Sequence, residues 1–244
     1  QQAMLDKQPG DRCYPCYELE GNKKNFNIIS DRVFYIRELK TVPLDTYQIG
    51  NHSLQTIDVR WSNLCNFACV YCSPEFSSKW SDELKIHAIT PIDAQKEQFR
   101  QYIYQHAPNL KHVYLAGGEP TMMKENEILL NELVKRNPDC HVCVNTNLSQ
   151  TDNRVAELLT KLNNCQWLVS VDASNKQYEY IRYPGKWSEF SRNLDTLIGN
   201  VSFNMVFISL NALSIWDTID NLLAQGHKDH VFTLALYNIF DIGL

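Results

Sequence analysis

No stretch of this 244-residue chain approaches the roughly 18 consecutive apolar residues that a membrane span needs. The polar opening, Gln1-Gln2-Ala3-Met4-Leu5-Asp6-Lys7, is not a signal peptide. An initiator methionine is also lacking, so an upstream piece is expected to be missing. Basic charge is in short supply. There are 23 Lys and Arg against 28 Asp and Glu, a formal net charge of −5. That balance argues against a surface built to coat nucleic acid, although a local basic groove stays open. Internal repeats and low-complexity tracts are absent. With 44% hydrophobic and 21% charged residues, the chain is too apolar to be disordered and can bury a sizeable core. Its length suits one domain, or one domain plus a small appendage. Without an export signal or a span, a cytoplasmic location is expected.

What is abundant is cysteine: Cys13, Cys16, Cys65, Cys69, Cys72, Cys140, Cys143 and Cys165. A disulfide framework is the weaker reading. Export is not signalled, the chain is large enough to fold without staples, and five of the cysteines sit in two tight clusters. Tight clusters in a reducing compartment point to metal sites.

Residues 1–50 have weak periodicity and several turn signals, Pro9-Gly10, Gly21-Asn22, Pro43 and Gly50, and read as a loop-rich lead-in. From residue 54 the pattern changes. Strands are predicted at 56–61, 112–116, 141–145, 167–171, 203–208 and 230–235. Helix-start chemistry lies between them. Thr90-Pro91-Ile92-Asp93, Ser149-Gln150-Thr151-Asp152 and Ser214-Ile215-Trp216-Asp217 share capping-box spacing, and Gly226 is placed to end the last of these helices. Ile128, Leu129, Leu133 and their polar neighbours repeat at a helical period. Alternating strand and helix argues for an α/β fold with a parallel sheet, either doubly wound or a partial barrel. In both, ligands gather at the C-terminal ends of the strands.

Directly after the first predicted strand comes Cys65-Asn66-Phe67-Ala68-Cys69-Val70-Tyr71-Cys72, spaced C-x3-C-x2-C. Structural zinc takes four closed ligands, and no fourth is near in sequence. Three soft ligands on a loop suit an iron–sulfur cluster with one iron left open. This segment resembles the fingerprint of the radical S-adenosylmethionine (radical SAM) enzymes, C-x3-C-x-aromatic-C, with Tyr71 in the aromatic place. The resemblance covers about residues 54–240. It implies a partial (β/α)6 barrel and a [4Fe-4S] cluster on Cys65, Cys69 and Cys72. The open iron would chelate the amino and carboxylate groups of SAM. Reductive cleavage of SAM would then release a 5'-deoxyadenosyl radical that abstracts hydrogen from a substrate.

Later segments extend the resemblance. Gly117-Gly118-Glu119-Pro120 closes the second strand and is similar to the family's GGEP motif, which binds the SAM amino group. Paired glycines there permit close backbone approach to a ligand. Asn145-Thr146-Asn147 resembles the T-N-G segment, but Leu148 stands where glycine is usual, so a different turn is expected. Ser170-Val171-Asp172-Ala173 resembles S-[IV]-D-G, again without its glycine. Ser170 and Arg182 match a family pair that contacts the SAM carboxylate or ribose; the bland reading makes Ser170 a packed strand residue and Arg182 a surface charge. Asn211, after the fifth strand, falls where relatives place polar SAM contacts. By this resemblance the cofactor-binding residues are Tyr71, Gly117, Gly118, Glu119, Pro120, Asn147, Ser170, Asp172, Arg182 and Asn211.

Cys13-Tyr14-Pro15-Cys16 is a second metal-type pair, similar to the cysteine-rich segments of SPASM and twitch domains, which carry auxiliary iron–sulfur clusters. Two ligands do not complete a cluster; a zinc knuckle and the absence of any metal are the other readings. Cys140, Cys143 and Cys165 fall at or before strand starts, away from the cysteine loop, and read as structural thiols. Most aromatic residues read as core; those flanking the loop, Phe67, Tyr71 and Trp80 among them, are placed to shield a cluster or stack on adenine. The expected organisation is a twitch/SPASM-like segment at 1–50 and a radical SAM barrel at 51–244. The expected substrate is a peptide or protein, with flavodoxin or ferredoxin as electron donor. The competing reading is a non-catalytic iron–sulfur protein for electron transfer or interaction, and a zinc-binding module is third.

Overall fold

In the computed structural model, the residues described are 14–21, 54–86, 93–227 and 231–236. The chain divides into two compact units, Gln1–His52 and Ser53–Leu244. Within the first, a helix α1 spans Tyr14–Gly21. Cys16 lies on that helix, and Cys13 falls outside the described residues.

The second unit is built on six strands: β1 (Thr56–Val59), β2 (His112–Leu115), β3 (His141–Thr146), β4 (Cys165–Ser170), β5 (Asn200–Phe207) and β6 (Val231–Leu236). All neighbouring pairs are parallel. The spatial order is β1-β2-β3-β4-β5-β6, the order of the chain. A doubly wound sheet reverses its strand order at a switch point, and this sheet never does. Right-handed crossovers that always step the same way curl the sheet, so the architecture is the partial barrel. The helices are α2 (Ser78–Leu84), α3 (Asp93–His106), α4 (Lys124–Arg136), α5 (Arg154–Leu159), α6 (Asn175–Ile181), α7 (Trp187–Asp195) and α8 (Ile215–Ala224).

Successive strand residues point to opposite faces. One row, with Val59, Leu115, Val142, Val144, Trp167, Val169 and Phe203, is fully buried. It forms one core with Ile103 of α3, Leu129, Leu130 and Leu133 of α4, and Leu158 and Leu159 of α5. The other row, with Tyr114, Cys143, Asn145, Leu168, Ser170 and Asn204, is only half-buried. The helices therefore cover one face, and the other carries the polar positions.

Several boundaries differ from the sequence expectation. β4 begins at Cys165 and Cys143 is the third residue of β3, so neither thiol precedes its strand. Cys140 does precede β3 and is buried. The helix after β3 does not start at Ser149. Asn153 caps α5, its Oδ1 accepting from the Ala156 N–H at 3.0 Å. An Asx side chain one turn later wins because Ser149 is already bonded to Asn66. Ser214 precedes α8 but makes no side-chain cap; its hydroxyl donates to Gln177 Oε1 at 2.7 Å. Gly226 ends that helix with φ +99°, as expected of a left-handed C-terminal stop. Of the Thr90-Pro91-Ile92-Asp93 segment, positions 90–92 lie outside the described residues.

Candidate functional site

The cysteine loop leaves β1 and runs to the start of α2, and that short helix holds it. The Cys65 N–H donates to Ser78 Oγ at 3.1 Å, and the same hydroxyl donates to the Cys65 carbonyl at 3.1 Å. Ser77 caps α2 by accepting from the Trp80 N–H, and its hydroxyl donates to the Phe67 carbonyl. Trp80 Nε1 donates to the Cys69 carbonyl at 2.8 Å. On its other side the loop pairs like a strand with the end of α6: Ala68 N–H donates to Tyr183 O at 2.6 Å and Val70 N–H to Ile181 O at 2.9 Å. Gly185 sits against Phe67 so closely that a Cβ would lie 2.8 Å from its ring.

Cys65, Cys69 and Cys72 all line one cavity of about 180 Å³ at the C-terminal ends of the strands. Its rim includes Gly117 and Gly118 after β2, Asn147 after β3, Ser170 at the end of β4, and Tyr71 and Arg182. Asn145, Thr146, Asn204, Val206, Phe67 and Phe76 complete it. Asn204 was not singled out in the sequence. Its signal is the alternation Ser202-Phe203-Asn204-Met205, which puts Asn204 on the face of Ser170, its register partner.

Burial pushes the Cys65 thiol up to about 11 and the Cys69 thiol up to about 12, and raises Cys72 as well. The Phe67 N–H, 3.4 Å from Sγ, works against this at Cys65, and Asn147 Nδ2 lies 3.9 Å from the same sulfur. Among the described residues, no three His, Cys, Asp or Glu side chains gather as the ligands of one ion would. Three thiols spread around a single cavity fit a multi-iron cluster, one thiolate to an iron, better than a mononuclear site.

The predicted cofactor-binding residues divide in two. Tyr71, Gly117, Gly118, Asn147, Ser170 and Arg182 line the cavity; Glu119, Pro120, Asp172 and Asn211 are buried beside it. Glu119 Oε1 accepts from the Thr121 N–H at 3.1 Å and from the Thr121 and Thr146 hydroxyls at 2.7 Å each. Its Oε2 accepts from the Asn147 N–H at 2.7 Å. Burial raises the Glu119 pKa, and these bonds partly offset the rise. The carboxylate thus joins the ends of β2 and β3. Asn211 Nδ2 donates to the carbonyls of Asp172 and Val206 at 2.8 Å each, and its Oδ1 accepts from the Ile208 N–H at 2.8 Å.

The glycine pair makes a close approach, and its nearest partner is the cysteine loop. A Cβ on Gly118 would lie 2.2 Å from the Leu64 carbonyl oxygen, and Gly117 has φ +114°. The Glu119 N–H donates to that same Leu64 carbonyl at 2.7 Å. Leu148 overturns the expectation of a different turn. It holds φ +59°, the left-handed conformation a glycine would adopt, with its side chain fully buried. Burial of the leucine outweighs the left-handed cost, about 1–2 kcal/mol. Arg182 is not a surface charge. It is buried, and its Nη1 lies 2.6 Å from Asp172 Oδ2 and 2.6 Å from the Tyr71 hydroxyl. Its Nε has no hydrogen-bond partner. Burial opposes the charge on Arg182, but Tyr71, Cys69 and Asp172 outweigh it and hold its pKa well above the usual value.

The model of the Radical SAM superfamily matches residues 59–222. Among solved structures, SuiB of Streptococcus suis bound to S-adenosylmethionine is similar with a TM-score of 0.54 and 16% identity, over 93% of this chain and 51% of that one. The same protein bound to precursor peptide SuiA gives a TM-score of 0.54 and 15% identity, over 97% and 52%. Native anSMEcpe with bound AdoMet and Cp18Cys peptide gives 0.53 and 18%, over 74% and 50%. At these identities the likeness is one of fold. The chain spans about half the length of these structures. No curated protein matches the sequence.

Proposed function

Because the chain belongs to the Radical SAM superfamily, we propose that this cavity binds a [4Fe-4S] cluster on Cys65, Cys69 and Cys72, with SAM beside it. The observation that carries the reading is the meeting of three separated thiols and the paired-glycine rim on one cavity, at the end of the sheet where ligands of such folds collect. When bound and reduced, such a cluster would supply the one electron that cleaves the SAM sulfonium into methionine and a 5'-deoxyadenosyl radical. The chain supplies position and surroundings. Phe67 and Asn147 donate to Cys65 sulfur, which favours the thiolate and would tune a cluster held there. Gly117 and Gly118 let the β2 loop close on the cysteine loop. Ser170, Asn204 and Arg182 present hydrogen-bonding groups along the wall, and Phe67 and Phe76 add apolar surface to it.

A peptide or protein is the proposed substrate. The support is the fold shared with SuiB and anSMEcpe, both captured with peptides. Cys13 and Cys16 are proposed as ligands of an auxiliary cluster of the twitch or SPASM type, and flavodoxin or ferredoxin as electron donor. Among the described residues, no helix is long and apolar enough to cross a membrane.

The test is anaerobic reconstitution with iron and sulfide, followed by dithionite and SAM, with 5'-deoxyadenosine quantified by chromatography. The parent is expected to form it, Cys69→Ala to lose both cluster and product, and Cys165→Ala to keep both. A fully iron-loaded parent that makes none overturns the catalytic reading in favour of a non-catalytic iron–sulfur protein.

A further inference from the structure

Asp172 does not line the cavity, yet it joins several elements of the site. It is fully buried. Its Oδ2 accepts from the Tyr71 hydroxyl at 2.7 Å and from Arg182 Nη1 at 2.6 Å. Its Oδ1 accepts from the Val206 N–H at 2.7 Å. Its carbonyl accepts from Asn211 Nδ2 at 2.8 Å. One carboxylate therefore joins the cysteine loop, through Tyr71, to β5 and the loop that follows it, and to the residue that ends α6. With both oxygens engaged and no exposed surface, it has no atom left to offer a ligand.

The placement of these bonds decides what they do. Cys65 is held by α2 through Ser78, and Cys69 by α2 through Trp80. Tyr71, next to Cys72, is tied instead to the far wall of the cavity. That wall carries Ser170, Asn204, Val206 and Arg182. Two of its members are fixed by Asp172 itself, Val206 through its backbone N–H and Arg182 through its guanidinium. Arg182 keeps an unpaired Nε beside the cavity, and among the described residues the bonds that orient its guanidinium are those to Asp172 and Tyr71.

We infer that Asp172 is a positioning residue that sets the distance and angle between the metal-holding loop and the SAM-facing wall, acting through the Tyr71 hydroxyl and Arg182. It does so without contacting SAM. The inference rests on the reading of the cavity as a cluster and SAM site.

It separates two quantities that a merely structural role would move together. Iron retention depends on three thiols: Cys65 and Cys69 are held by α2, and the Cys72 N–H donates to the Cys69 carbonyl at 2.9 Å, none of which uses the Tyr71 hydroxyl. SAM affinity depends on the relation between loop and wall. The probes are Tyr71→Phe, which deletes one hydroxyl inside an intact fold, and Asp172→Asn, with Tyr180→Phe on the exposed side of α6 as control. Each reconstituted protein is assayed for iron and sulfide, melted by circular dichroism, and titrated with SAM while the electron paramagnetic resonance spectrum of the reduced cluster is followed. Tyr71→Phe is expected to keep parental iron content and to melt below the parent because it loses one hydrogen bond to a buried carboxylate, while its SAM dissociation constant rises roughly tenfold. Asp172→Asn is expected to weaken SAM at least as much, and the double variant no more than Asp172→Asn alone, because the two act as a unit. SAM affinity within twofold of the parent in Tyr71→Phe overturns the inference, as does loss of iron and affinity in equal measure. A parent that holds its cluster but shows no spectral response to SAM fails earlier and sinks the cavity reading itself.

Discussion

Each of the three thiols pays for its burial in acidity. Cys65 and Cys69 are raised from 9.0 to about 11 and about 12, so both are protonated at neutral pH in the empty site. An iron–sulfur cluster takes thiolates, so loading must release protons and its apparent affinity must rise with pH. A pH-stat should register proton release on reconstitution of the parent, and clearly less in Cys69→Ala. The same shift acts on the empty chain with the opposite sign. A thiol whose folded pKa lies above its unfolded one stabilises the fold in full below the unfolded value. That contribution is lost as pH rises through the folded pKa. Melting temperature of the empty protein is therefore expected to fall between about pH 9 and 12. Leu148 supplies a second test at this scale. Replacing it with glycine relieves about 1–2 kcal/mol of left-handed strain. It also removes a fully buried leucine, a change that costs about 2–5 kcal/mol in comparable cores. The loss exceeds the relief, so Leu148→Gly is expected to lower stability in denaturant melts, although glycine suits the backbone better.

At the scale of elements, the site is a set of loops locked to one another. The β2 loop lies against the cysteine loop, and Gly118 is where they touch. Gly118→Ala would drive a Cβ to 2.2 Å from a backbone oxygen that cannot swing aside. Overpacking of this kind costs about 1–3 kcal/mol, and here it also parts the loops, so lower iron content after reconstitution is expected. Cys140→Ala, at a buried thiol before β3, is expected to leave iron content unchanged. These locks show what was legible in the sequence. Strand and helix existence followed from the alternation of apolar periods, and the cavity thiols from their spacing. The partners of Glu119, Asp172 and Asn211 did not, because a carboxylate after a strand reads the same whether it faces a ligand or ties two loops together. Arg182 was open for a like reason: its burial comes from Tyr71 and Asp172, 111 and 10 residues away in the chain. Helix starts failed where two cap chemistries competed within one turn, as between Ser149 and Asn153.

For the molecule as a whole, strand order decides the architecture and the architecture decides the placement of chemistry. A sheet that steps one way from β1 to β6 brings the C-terminal ends of the strands to one mouth. Its covered face holds the apolar core, and its other face offers Tyr114, Asn145, Ser170 and Asn204 to whatever enters. The three thiols at that mouth are proposed to leave one iron of a cluster open for SAM. The most direct test is hyperfine spectroscopy of the reduced, reconstituted protein with SAM labelled by nitrogen-15 in its amino group and oxygen-17 in its carboxylate. Coupling of both labels to the cluster in the parent, absent in Cys69→Ala, is the predicted result. A cluster-loaded parent in which neither label couples would contradict it.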